Sequence, residues 1–174
     1  MPLERAVTWV LPLVTAAVYA VLVLHFGRHL IAEAGGALPF DLRVQGYGLA
    51  EARGYLRALS PAGFALAQGP VLKVDTVFPL LFGLTLAWWM RPFRGVFGMV
   101  CVLAAMSYVA LGWGENAAVQ DMLTAGPDWV EPADILRASA FTQGKFAAIA
   151  LSLVLAARQS WRRIGGGSRP SSTD

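Results

Sequence analysis

The side chains with the most chemistry to offer lie where charge is costly. Lys145 closes the run A-S-A-F-T-Q-G-K (Ala138–Lys145), the outer part of the last long apolar segment. An ion inside a membrane helix needs a partner and usually a reason. The ends of two other apolar segments supply partners: Asp75 before one, Glu115 and Asn116 after another. Ser139 and Thr142 fall near one helical stripe with Lys145, where small and hydroxylated residues suit close packing against another helix. Counting ~1.5 Å of rise per residue from the arginines at the opposite ends puts Lys145 about 20 Å up, Asp75 about 24 Å and Glu115 about 31 Å. Asp75 is therefore the expected level partner and Glu115 the next.

Two readings of that cluster compete. In one, a buried Lys145–Asp75 bridge fixes helix register and the hydroxyls satisfy spare donors. In the other, an outward-opening pocket lets Lys145 hold an anionic or carbonyl group, or act as a base or Schiff-base former after losing its proton in apolar surroundings. A second polar group, Asp41, Arg43, Tyr47, Arg53 and Tyr55, lies between the first two apolar segments. It is expected to fold that stretch by ion pairing or to recognise lipid headgroups. His25, His29 and Glu33 recur every four residues and could converge on a metal. No second helix offers a matching ligand, so neither a metal nor another cofactor is expected.

Four segments are expected to position these residues. The chain has 174 residues, 56% hydrophobic and 14% charged, against about 25% charged in soluble domains. Its apolar runs, about 6–26, 74–90, 95–114 and 135–157, approach or exceed the roughly 20 residues a helix needs to cross a bilayer. The first run is longer than the core of a cleavable signal and reads as a retained helix. The expectation is an all-α, polytopic four-helix membrane bundle over 1–164, with a low-complexity, disordered tail at 165–174. A long outer loop, 27–73, carries an amphipathic helix at Leu49–Leu59 that Ser60, Pro61 and Gly63 end.

Arginines set the orientation. Arg91 and Arg94 flank one short turn, and Arg158, Arg162, Arg163 and Arg169 follow the last segment, whereas Glu115, Asp121, Asp128, Glu131 and Asp134 crowd the other side. Both termini are thus expected in the cytoplasm of a bacterial inner membrane, with both longer loops outside. Trp88, Trp89 and Trp161 would form one aromatic belt, Trp113 and Trp129 the other. A net charge of +3, held beside apolar segments, does not suggest nucleic acid. Cys101 has no partner for a disulfide and reads as a small core- or lipid-facing residue. The sequence contains no phosphate loop, zinc-protease motif, cysteine pair or nucleophile elbow.

Five stretches carry a resemblance: F-D-L-R-V-Q-G-Y (Phe40–Tyr47), A-R-G-Y-L-R-A-L (Ala52–Leu59), D-T-V-F-P-L-L-F-G (Asp75–Gly83), G-E-N (Gly114–Asn116) and A-S-A-F-T-Q-G-K. Their order resembles a family of small, uncharacterised bacterial four-helix membrane proteins. The resemblance implies four spans and no activity. That pattern places an acidic residue one turn before the glutamate–asparagine pair, where this chain has Gly112.

Three functions are expected in descending order. The first is a non-enzymatic accessory or assembly protein with a membrane-protein partner, and the second a lipid- or isoprenoid-binding protein or enzyme with a site around Asp75, Glu115 and Lys145. The third is a small transporter that would have to oligomerise. The bilayer is the one partner common to all three. A pocket among the charged residues would favour the second; a dry, fully paired cluster would favour the first.

Overall fold

The computed structural model describes residues 2–165. Nearly all of them are helical, and no strand occurs among the described residues. Helix α1 (Pro2–Ala20) runs through a wide, π-type stretch, Val21–Gly27, into α2 (Arg28–Glu33). A 3₁₀ turn at Phe40–Leu42 leads to α3 (Leu49–Ala58). Helix α4 (Pro61–Leu66) passes through a second π-type stretch, Ala67–Val71, into α5 (Leu72–Met90). Pro70 lies in that stretch, and its missing N–H is one cause of a locally widened ladder. Helices α6 (Gly95–Trp129) and α7 (Pro132–Gly165) complete the chain. Four rods, Leu3–Glu33, Pro61–Met90, Gly95–Trp129 and Pro132–Arg162, are long and apolar enough to cross a membrane.

All four rods outrun the apolar runs that predict them, because hydropathy marks only the part surrounded by greasy residues. The last turns of α6 are more polar, yet they continue the helix until Gly126 leaves it at φ 74°. The acidic stretch expected as a loop is therefore mostly helix, and α7 begins at Pro132, a proline in the first turn. The expected loop 27–73 is largely helical as well. The amphipathic helix does end ahead of Ser60 and Pro61, at Ala58, but Gly63 lies inside the next helix: Pro61 occupies the first turn of α4, where Ser60 caps by accepting from the Gly63 N–H at 3.1 Å. The Ser60 hydroxyl also donates to the Glu33 carboxylate, and its N–H to the Glu33 carbonyl at 2.9 Å. Those bonds tie the end of α2 to the start of α4. Of the expected tail, residues 166–174 lie outside the described residues.

Helix α6 is the central element. It packs against α5 and α7, which also touch each other, while α1 leans on α5 and makes no comparable contact with α6 or α7. Two apolar clusters form along it. One holds Leu86, Met90, Cys101 and Tyr108; the other holds Leu56, Met122, Val130 and Ile135. Cys101 is thus core-facing. Helix α3 closes the second cluster: its Ala52, Tyr55 and Leu56 are buried, and it rests on α6 and α7.

The α5–α6 contact is close because Gly112 faces the Pro79 ring. A Cβ at Gly112 would lie 2.8 Å from the ring Cγ, inside van der Waals contact. The acidic residue of the resembled pattern therefore has no room at this position. The same contact sets the register, with positions 79 and 112 abreast, and with Asn116 reaching the Asp75 carbonyl at 2.9 Å.

Candidate functional site

Four elements bring the polar residues to one end of the molecule. Helix α6 supplies Glu115 and Asn116, α7 supplies Ser139, Thr142 and Lys145, α5 supplies Asp75, and the Phe40–Leu42 turn supplies Asp41. Glu115 is 1% exposed and Thr142 fully buried. The Lys145 ammonium pairs with Glu115 Oε2, and the Thr142 hydroxyl donates to Glu115 Oε1 at 2.6 Å. Both oxygens of a carboxylate withdrawn from water thus have donors, the condition under which a buried ion pair is tolerated.

This pairing corrects the expected Lys145–Asp75 bridge. Counting helical rise from the arginines assumed that every helix starts in one plane. The register denies it: Asn116 is bonded to Asp75, so Glu115 and Asp75 stand almost level. With 79 beside 112, Met90 falls beside Cys101, and residues 95–100 of α6 extend past the end of α5. Lys145 then meets the carboxylate on the helix it packs against most. Asp75 has no cation within 4.0 Å among the described residues.

The loop group is also wired differently from expectation. Arg43 makes no ion pair within 4.0 Å among the described residues. Its guanidinium donates to the Leu38 carbonyl and lies over the Phe40, Tyr47 and Tyr55 rings, 5.3–5.8 Å from their centroids. Arg53 donates to the Val130 carbonyl at 3.0 Å. Cation–ring and carbonyl contacts fold this segment in place of ion pairing. Burial pushes the Asp41 carboxyl above its ordinary range, against the pull of Lys145. Burial also drives the Tyr55 hydroxyl up to about 12 and that of Tyr47 upward.

The loop is fastened to α7 beside the site. The Ser139 hydroxyl accepts from the Tyr47 N–H at 2.9 Å, and Gln143 donates to the Gln45 carbonyl at 2.7 Å. Gly46 lies between these bonds at φ 79°. A Cβ there would fall 2.6 Å from the Ser139 hydroxyl, so glycine is needed for both conformation and space. The His25–His29–Glu33 stripe does not converge. His29 bonds the His25 carbonyl at 2.6 Å and Glu33 turns to Ser60.

Two cavities flank the charged residues, and Asp41 and Asp75 face both. The smaller, about 60 Å³, is lined also by Glu115, Asn116 and Gln120. Its five acidic or amide lining residues and its size suit a few waters at ~10–15 Å³ each. The larger, about 390 Å³, lies between α1, α5, α6 and α7. Lys145, Asp41 and Asp75 stand among its walls, which are otherwise mostly aromatic and aliphatic: Tyr19, Phe78, Phe82, Tyr108, Phe146 and Ile149. Thr15 and Thr85, also lining it, share a hydrogen bond of 2.9 Å.

Sequence reasoning found the charged residues but missed these walls. Aromatic side chains that line a cavity look the same in sequence as those that face lipid. The hydroxyls of Thr15 and Thr85, isolated in apolar runs, were the one local signal. No family model, curated protein or solved structure matches this chain. The chemistry of its own residues is therefore what bears on function.

Proposed function

We propose that the protein is an integral membrane protein that holds an amphiphile, a ligand of lipid or isoprenoid class, in the larger cavity. In this reading the four rods form a polytopic bundle, with α3 and its flanking segment as an outer cap. Both termini and the Arg91–Arg94 turn face the cytoplasm, and the charged end of the cavity faces outward. The proposed setting is a bacterial plasma membrane.

The cavity carries the proposal. Apolar walls with a few convergent polar groups are the usual make-up of a small-molecule site, and here the charged side chains stand beside aromatic walls. Helix α1 touches α5 without comparable contact to α7, which leaves a lateral way in from the bilayer. Binding asks for no catalytic motif, so an accessory role that consists of holding or presenting a lipid fits the same geometry. An ammonium engaged by Glu115 offers no lone pair for Schiff-base chemistry, and no reaction is assigned to it.

The test is mass spectrometry of lipids that stay with the protein through purification. The wild type should carry a defined species above the bulk lipid background. Ala16→Phe, on the α1 wall of the cavity, should lose it while the protein remains folded by circular dichroism. Equal lipid content in both proteins would sink the reading.

A further inference from the structure

We propose that the amphiphile bound in the larger cavity carries a cationic head, a protonated amine held between Asp41 and Asp75. The inference rests on the cavity being a ligand site and goes on to fix the sign of the ligand's charge.

The argument is a charge inventory. One basic and two acidic side chains line the cavity at its polar end: Lys145, Asp41 and Asp75. Lys145 is already matched, because Glu115 pairs with it while lining only the smaller cavity. Asp41 and Asp75 have no cation within 4.0 Å among the described residues. Arg43, two positions from Asp41, is committed to the Leu38 carbonyl and to three rings. What faces an incoming head is therefore a pair of carboxyl groups with no counter-ion, whose ionised form an arriving ammonium would favour.

Each class of head meets that surplus differently. A phosphate or carboxylate head would add a further acid beside these two in a setting where water screens little. A neutral alcohol would gain hydrogen bonds without charge. An ammonium would supply the missing counter-ion and donate to both carboxylates, and charge-assisted hydrogen bonds are about twice as strong as neutral ones. The walls point the same way, since the faces of Tyr19, Phe78, Phe82, Tyr108 and Phe146 attract cations as well as alkyl chains. This reverses the expectation that Lys145 would hold an anionic group.

The experiment uses the full chain in nanodiscs of zwitterionic phospholipid, with three probes of equal chain length: dodecylamine, dodecanol and dodecanoate. Half-saturation is read from thermal stabilisation. Dodecylamine should half-saturate at a concentration at least about tenfold below that of dodecanol, a difference of about 1.4 kcal/mol, and dodecanoate should be weakest. Asp41→Asn and Asp75→Asn should each erode the preference for amine over alcohol while dodecanol binding persists, which shows that the cavity is still formed. Preference for dodecanoate, or an amine-to-alcohol ratio that neither substitution moves, would overturn the cationic head. If all three probes bind alike and Ala16→Phe blocks them, the cavity remains a ligand site and only the charge assignment falls. If none binds, both fall.

Discussion

Lys145 of α7 is ion-paired with Glu115 of α6, at side-chain exposures of 12% and 1%. The pair joins the two helices that pack most extensively. Removing one partner of such a pair leaves a buried charge and costs about 3–5 kcal/mol. Glu115→Gln and Lys145→Met should each destabilise the detergent-solubilised protein on that scale, and the double variant should lose less than the two losses added. Lys145→Met combined with Asp75→Asn should come closer to additivity. Unfolding titrations of these four variants and of Asp75→Asn alone check this; strong coupling with Asp75 and none with Glu115 would contradict the structure.

The Gly112–Pro79 contact makes a second prediction. Gly112→Ala forces a methyl group against the proline ring, and overpacking of this kind costs roughly 1–3 kcal/mol. Adding Pro79→Ala should recover part of the loss by making room. A Gly112→Ala protein as stable as wild type would mean that α5 and α6 are further apart than described.

Topology supplies the third. Ala58 and Asp128 are exposed at the capped end and Phe93 at the other, while the native Cys101 is buried. Single cysteines at positions 58 and 128 should react with an impermeant thiol reagent in intact cells. One at position 93 should react only after permeabilisation, and wild type should stay silent. The reverse pattern would invert the proposed orientation.

A fourth prediction concerns pH. The Asp41 carboxyl is raised from 3.8 by burial, with Lys145 pulling it back and Asp75 and Glu115 nearby. A carboxyl raised on folding binds its proton more tightly in the folded state, so its contribution is fullest below the unfolded value and falls as pH rises through the folded one. Relative to wild type, Asp41→Asn should gain stability as the buffer moves from below pH 3.8 towards neutrality. A stability difference that is flat, or that shrinks over this range, would show Asp41 to be solvated.

How much of this was legible in the sequence differs from residue to residue. The apolar runs that contain Ala16, Leu86, Tyr108 and Ala148 announced four long helices, because length and hydropathy are properties of the chain itself. The amphipathic spacing of Ala52 and Leu56 announced α3 for the same reason. Ser60 and Pro61 announced the end of α3, because the residue before a proline is held out of helical backbone. That Pro61 also opens α4 depends on the Ser60 cap and its bonds to Glu33, which are tertiary. Residues 115–129 were misread as loop because polarity on a helix surface is no bar to helix when another segment packs over the opposite face.

The sequence by itself determined that this is an all-helical protein with four helices able to cross a membrane, and that a few charged residues lie near their ends. The tertiary structure decided which of those charges meet. The Gly112–Pro79 register leaves Glu115 and Asp75 level, and Lys145 takes Glu115 because α7 packs most extensively on α6, the helix that carries it. The cavity was likewise decided in three dimensions, by α1 leaning on α5 and leaving α7 apart. Pairing and enclosure depend on the relative offset of helices distant in sequence. Composition and periodicity, which describe one helix at a time, carry no information about that offset.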